Sequence, residues 1–211
     1  MNDDYRFNVK RKRPEDIHEK VTDYFNSKTL INYATSKSMM RIQEKITIRA
    51  LELLDLKNIN PLILDAGCGP GFTSIYLKEI GYNVVALDLI SEFLYFYKIK
   101  EINPICSDMC FLPFKSNIFD AIISISALQW IYKDLKDDST RNNLINLTKS
   151  FECVLKADSK IVIQFYPKNE DIIKGIGKIF INNTNLDGNF VIDNPNNPKK
   201  RKIFLLLEKG H

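Results

Sequence analysis

The run Asp65-Ala-Gly67-Cys-Gly69-Pro-Gly71 is where this sequence concentrates its chemistry. Glycines at alternate positions let a backbone turn tightly and approach a ligand closely. At the carboxyl end of a strand in an open α/β sheet, such a turn binds a nucleoside cofactor. A dinucleotide fingerprint would need glycine at position 72, and Phe72 stands there, which argues against a nicotinamide dehydrogenase. Asp88 follows Gly67 by twenty-one residues, where a carboxylate can accept both hydroxyls of a ribose, and Asp108 lies after the next short apolar run. A lone aspartate at a strand end is commonly a cap or a solvated side chain. Three of them at consecutive strand ends beside a glycine turn point to a ligand. Farther on, Gln129-Trp130 pairs an amide that donates and accepts with the sole tryptophan, a combination able to hold a flat heteroaromatic ring. Burial of Trp130 in the core of a following helix is the competing use.

The elements that must position these residues follow from periodicity. Short β-rich runs occur at Pro61–Asp65, Asn83–Asp88, Pro104–Ser107, Phe119–Ile125 and Lys160–Phe165. Helical segments fall between and after them, near 72–80, 91–99, 139–155 and 168–182. Apolar strands alternating with helices are the mark of a parallel sheet covered on both faces. Phe190–Asp193 and Ile203–Glu208 flank a Pro/Asn/Lys loop and read as a terminal antiparallel pair. Ahead of the sheet, Pro14–Asn26 opens with proline and acids as a helix does, and Ser38–Leu56 is amphipathic with Ile42, Ile46 and Leu53 at helical spacing. The expected organisation is an N-terminal basic and helical region, 1–58, on one α/β domain, 59–211.

Composition fits a single globular unit. The 211 residues are 45% hydrophobic and carry 30 Lys+Arg against 26 Asp+Glu, a net charge of +4. No apolar run is long enough to span a bilayer and the start is charged, so a cytoplasmic protein without membrane attachment is expected, nuclear if the source is eukaryotic. Cys68, Cys106, Cys110 and Cys153 form no CxxC pair and histidines are only two, so no metal site is expected. Eight positive charges sit in Lys10-Arg11-Lys12-Arg13 and Lys199-Lys200-Arg201-Lys202, leaving the rest of the chain at −4. Local basic runs on an acidic body suit contact with a polyanion such as RNA.

An acid followed by GxGxG, in place of GxGxxG, resembles the class I S-adenosylmethionine (SAM) methyltransferases. That resemblance implies a Rossmann-like α/β fold: a seven-stranded, mostly parallel sheet with an antiparallel last strand, plus N-terminal helices. It implies SAM as methyl donor and S-adenosylhomocysteine as product. The segments ISISALQW (123–130), QFYPKNED (164–171), IQEKITIRALELLDL (42–56) and VIDNPNNPKKRKIFLLL (191–207) are similar to the small-subunit rRNA guanine-N7 methyltransferases of eukaryotes, in a short form without their basic C-terminal tail. By position, the resemblance puts Asp65, Gly67, Gly69, Gly71, Asp88, Asp108, Met109 and Gln43 around SAM, with Asp65 toward its cationic end. It puts Gln129, Trp130, Tyr166 and Pro167 around guanine, and a ribosomal RNA or pre-ribosomal small subunit on the basic runs. Guanine N7 offers its own lone pair, so no general base is required.

Family members work with a small zinc-binding activator protein that adds to a sheet edge, and a heterodimer is therefore expected. In the sequence, Ser91–Ile99 (SEFLYFYKI) carries so many aromatic residues that a helix there would show them on nearly every face, an invitation to a partner unless the N-terminal helices cover it. Two other functions compete: methylation of a small metabolite, and a non-catalytic ribosome-assembly factor that binds SAM.

Overall fold

The computed structural model describes residues 7–97 and 102–210. Among them seven strands form one sheet: β1 Leu62–Ala66, β2 Asn83–Asp88, β3 Ile105–Cys106, β4 Phe119–Ile125, β5 Leu155–Phe165, β6 Leu186–Asp193 and β7 Lys202–Lys209. Their order is β3-β2-β1-β4-β5-β7-β6. The pairs from β3 to β5 are parallel, and β7 is antiparallel to both β5 and β6. Strand order reverses between β1 and β4, and a doubly wound sheet opens its ligand crevice at such a point.

Both faces of the sheet are covered, so its central strands carry apolar residues toward both. Neighbouring residues alternate between two cores: Leu64, Ile122 and Ile161 pack with Leu144, Phe151, Ile173 and Phe180, whereas Ile63, Ile123 and Val162 pack with Ile46, Ala50, Leu54 and Leu77. The first face is closed by α7 Asp138–Val154 and α8 Glu170–Asn182, the second by α4 Lys37–Leu54 and α5 Phe72–Glu79. Side-chain caps start several of them: Ser36 accepts from Met39 N at 3.3 Å, Asp137 from Thr140 N at 2.7 Å and Asn169 from Ile172 N at 3.1 Å.

Departures from the sequence expectation cluster at the N-terminus and after β2. The single helix expected over 14–26 is two turns, α1 Pro14–Ile17 and α2 Val21–Tyr24. The chain is extended at His18, and the Lys133 ammonium donates to the carbonyls of His18 and Glu19, which a continuous helix would have used internally. A further helix, α3 Ser27–Ala34, starts on an Asn26 cap and lies between the two helices expected from the sequence, where no element was assigned. The helix expected near 91–99 is one turn, α6 Ser91–Leu94, and residues 98 and 99 lie outside the described residues. Its aromatics do not form a continuous exposed surface. Phe93 is buried with Leu30, Val21, Phe25 and Tyr33 from the N-terminal helices, while Leu94 and Tyr97 turn toward Cys68 and Ala86. No helix among the described residues is long and apolar enough to cross a membrane.

Candidate active site

The glycine turn leaves β1 in the left-handed conformations that favour glycine, with φ of +78° at Gly67, +53° at Gly69 and +93° at Gly71. Gly67 and Cys68 both donate backbone N–H to Leu87 O, at 2.8 and 3.0 Å, tying the turn to β2. A Cβ on Gly67 would stand 2.4 Å from Ala127 Cβ and 2.9 Å from Met109 Cε, so the absence of a side chain lets the β1 turn meet the segments after β3 and β4. A Cβ on Gly69 would meet nothing within 4 Å. The Gly69 N–H donates to Asp88 Oδ2 at 2.7 Å and Ile90 N–H to Oδ1 at 2.8 Å. Each oxygen therefore keeps acceptor capacity, and burial still pushes the Asp88 carboxyl above its ordinary range. Asp108 caps the short turn Met109–Phe111, accepting from Cys110 N at 2.8 Å.

These groups line a cavity of about 490 Å³, a size suited to a nucleoside-sized ligand. Gly67, Gly69, Asp88, Asp108, Met109, Gln43 and Trp130, all expected at the site, share its wall. Asp65, Gly71, Gln129, Tyr166 and Pro167 do not. Asp65 departs from its expected place facing the cofactor: it is 1% exposed beneath the turn, accepts from Ser74 Oγ at 2.5 Å, and burial pushes it up to about 7. Tyr97 donates to the same Ser74 at 3.1 Å and its ring covers Gly71, so Asp65 and Gly71 brace the turn from behind. Gln129 is buried, its amide donating to Ser126 O at 2.5 Å within the same turn. Tyr166 lines a separate cleft of about 280 Å³, next to the buried Pro167.

Several wall residues escaped the sequence reading. Ser126 holds a left-handed φ of +58°, rare for a residue with a side chain, and its hydroxyl donates to Gln164 Oε1 at 2.9 Å. Gln43 Nε2 donates to Ser126 Oγ at 3.3 Å and to the Tyr33 hydroxyl at 3.4 Å. The Tyr166 hydroxyl comes within hydrogen-bonding reach of Ser126 and Gln164 from the other side. Burial pushes the Tyr33 phenol up to about 12 and raises that of Tyr166 as well, so both stay protonated at neutral pH. Phe72 and Thr73 complete this end; Thr73 Oγ1 shares a 3.1 Å hydrogen bond with Thr47 of α4. Tyr33 lies on the unforeseen helix α3, and no local signal marks Ser126 as left-handed.

The N-terminal segment covers the cavity with Val21, Thr22 and Phe25. Tyr24 stacks on Trp130 with centroids 5.5 Å apart and planes at 27°. The Arg13 guanidinium stands over the Tyr166 ring at 5.6 Å and donates to the Tyr166 carbonyl. The two basic runs meet at the carboxyl end of β5: Val9 N donates to Lys168 O at 2.8 Å, Phe165 pairs with Ile203, and Arg201 stands 4.5 Å over Phe7 while donating to Pro195 O. Lys10, Arg11, Lys12, Lys199 and Lys200 are exposed; Arg13, Arg201 and Lys202 are half-buried.

A sheet in this strand order, reversed only at β7 and carrying a glycine turn that faces acids on β2 and after β3, defines a class I SAM-dependent methyltransferase. The family description "Methyltransferase domain" matches residues 64–163. Among solved structures, a putative SAM-dependent methyltransferase from Methanococcus maripaludis superimposes with a TM-score of 0.70 at 12% identity, covering 96% of this chain and 97% of that one. Magnesium protoporphyrin IX methyltransferase from Synechocystis, solved with bound SAM, gives 0.66 at 17% identity, over 96% and 100%. Sequence similarity is more specific. The 18S rRNA (guanine(1575)-N(7))-methyltransferase of Saccharomyces cerevisiae is 34% identical over 206 residues, 94% of this chain and 73% of that protein. The 18S rRNA (guanine-N(7))-methyltransferase of Bos taurus is 33% identical over 192 residues, 89% and 68%. The chain belongs to the 18S rRNA guanine-N7 methyltransferase family.

Proposed function

We propose that this protein methylates N7 of a guanine in small-subunit ribosomal RNA, in whichever of cytoplasm or nucleus that RNA is met. The observation that carries the reading is the neutral hydrogen-bonded cluster where the cavity adjoins the Tyr166 cleft: Gln43 donates to Ser126 and Tyr33, the Tyr166 hydroxyl lies within reach of Ser126, both phenols are held protonated, and no carboxylate takes part in those bonds. An alcohol or carbon acid would need a base at that end. Guanine N7 needs only alignment, desolvation and nearby oxygens that favour the cation formed.

The cavity fits SAM on its own terms. Asp88 keeps acceptor capacity for the ribose hydroxyls, and Asp108 and Met109 supply an acceptor and an apolar surface for adenine. The open side of Gly69 admits the ligand against the backbone, and Gln43 stands beside the methionine end. When bound, SAM supplies a methyl group on a positively charged sulfur. Exposed Lys10–Lys12 and Lys199–Lys200 would hold RNA phosphates near the mouth. At the other end of the sheet, β3 pairs only with β2 among the described residues, and the segments that follow these two strands expose Leu89 (51%), Tyr95 (85%) and Phe111 (63%). This edge is suited to strand addition by a small activator protein.

Incubation of the chain, with and without such a partner, with labelled SAM and small ribosomal subunits tests the reading. N7-methylguanine at one RNA position is the expected result. Label on a protein or a metabolite, with none on RNA, would overturn it. Full solubility and SAM affinity of the chain alone would count against the partner.

A further inference from the structure

The cleft bounded by the N-terminal segment and Tyr166 encloses about 280 Å³ and shares Glu19 with the cofactor cavity. Tyr166 joins the two spaces, lining this cleft while its hydroxyl reaches Ser126 in the wall of the other. Three carboxylates border the cleft and their surroundings differ. Glu19 is exposed to water. Asp16 already carries a cation and a backbone donor: it pairs with Lys168 Nζ at 2.5 Å and accepts the Arg13 N–H at 3.0 Å, which together outweigh its burial and hold its carboxyl below the usual range. The Glu15 side chain is only 12% exposed, its ion-pair partner Arg13 stands 3.9 Å off, beyond hydrogen-bonding distance, and burial raises its carboxyl against the opposing pull of its own backbone N–H. A carboxylate so engaged, by its own backbone N–H alone at hydrogen-bonding range, keeps acceptor capacity for a ligand in the cleft.

Guanine presents N1–H and N2–H side by side on its Watson–Crick edge, a pair of donors that one carboxylate accepts together. Adenine presents an acceptor at N1 and is repelled. We propose that this cleft is the acceptor-base subsite and that Glu15 selects guanine by accepting N1–H and N2–H, with N7, on the other edge of the ring, turned toward the Ser126 side of the cofactor cavity. The inference rests on the N7-methylation reading above. In the transfer, the N7 lone pair forms the new N–C bond and the C–S pair returns to sulfur. Positive charge passes from sulfur to the purine, and no proton leaves in that step. Because the ring becomes cationic, its hydrogen bonds to Glu15 strengthen toward the transition state, so the same contact serves selection and rate. The exposed Lys10–Lys12 run leads directly into Arg13 and α1, which brings the RNA backbone to the rim of the cleft.

The test uses the full chain with SAM and small-subunit RNA carrying guanosine or, lacking the N2 amino group, inosine at the methylated position. Wild type is expected to lose about fivefold or more in kcat/KM on inosine, the lower end of what one bidentate base contact contributes. Glu15→Gln is expected to lose roughly 10–100-fold on guanosine by the same arithmetic, to show no further loss on inosine, and to keep wild-type SAM affinity. Asp16→Asn disturbs the same segment but leaves Glu15, so it should preserve the wild-type guanosine-to-inosine ratio; a collapsed ratio there would assign selection to the segment as a whole and overturn the role of Glu15. Equal rates of wild type on both RNAs would overturn the proposal without any variant having to fold. Glu15→Gln retaining the wild-type ratio would overturn it too, leaving N7 methylation standing. Absence of N7-methylguanine with wild type would remove both.

Discussion

Alanine at Gly67 and alanine at Gly69 should damage this protein in different ways, and the difference follows from two distances and two angles. At Gly67 the φ of +78° puts an L-residue in the left-handed region, at a cost of roughly 1–2 kcal/mol. The new Cβ would stand 2.4 Å from Ala127 Cβ and 2.9 Å from Met109 Cε. Carbon atoms rest about 3.5–4.0 Å apart, so the β4 turn must retreat by roughly 1 Å, and overpacking of that kind costs about 1–3 kcal/mol. The sum is about 2–5 kcal/mol, or a Tm lowered by roughly 4–20 °C for a chain of this length. At Gly69 the φ of +53° carries a similar conformational cost, but the Cβ meets nothing within 4 Å. Its stability loss should stay near 1 kcal/mol. Its methyl instead enters the cofactor cavity beside Asp88, where loss of close backbone approach should weaken SAM at least tenfold, about 1.4 kcal/mol. Thermal unfolding without SAM, together with calorimetric SAM titration, separates the two. A Gly67→Ala protein as stable as wild type, or a Gly69→Ala protein less stable than Gly67→Ala, would refute the account of the turn.

Three further outcomes are expected. The Asp65 pKa near 7 in the folded protein lies above its ordinary 3.8, so between those values the folded state holds a proton that the unfolded chain releases, and this residue lowers stability as pH rises through that window. Asp65→Asn should gain in Tm relative to wild type between about pH 4 and pH 8; a constant difference across that range would contradict the assignment. Tyr24→Ala should expose Trp130, the only tryptophan, shifting its emission to longer wavelength at a cost of about 0.5–1.5 kcal/mol, the worth of one aromatic pair. Unchanged emission would mean that Tyr24 does not cover the ring. Replacing exposed Lys199 and Lys200 by alanine should reduce the salt dependence of RNA binding by a slope of about 2 and leave SAM affinity intact; an unaltered slope would take this loop out of the RNA footprint.

How much of the site could be read in advance depended on the range of the interactions that make it. Gly67, Gly69, Asp88 and Asp108 are placed by strand ends, and strands such as Asn83–Asp88 and Phe119–Ile125 declare themselves by apolar runs that both cores require. The misplaced residues answer to distant partners. Asp65 carries the motif's acid, yet its carboxylate is claimed by Ser74 on the next helix, and Tyr97 reaches back to the same serine. The helix expected over 14–26 breaks because Lys133 takes two of its carbonyls, a competitor more than a hundred residues away that local periodicity does not register. The aromatic run after β2 had two readings, partner surface or cover by the N-terminal helices; the helices cover Phe93 and Phe96, while Leu94 and Tyr97 pack with Cys68 and Ala86 instead. Tyr95, at 85% exposure, remains on the surface.

The same difference in range divides the site into two mechanical parts. The cofactor side is anchored on β1, β2 and β4, whose carboxyl-terminal halves are buried, so its geometry is held by the global stability of the fold. The acceptor side is anchored by individual contacts between the N-terminal segment and the β4 and β5 ends: Arg13 on Tyr166, Asp16 with Lys168, Tyr24 on Trp130 and Lys133 on two carbonyls. Most of these are polar, partly exposed and worth about 1 kcal/mol or less each, so the stretch from Arg13 to Lys20 can shift without disturbing the glycine turn, while Val21, Phe25 and Leu30 stay packed on Phe93. Each of those contacts also occupies a group that an RNA base or phosphate could use. A methyl donor of nucleoside size needs a fixed cradle, whereas a base carried on a ribosomal subunit needs a wall that can open, and the division of contacts between core and cover supplies one of each.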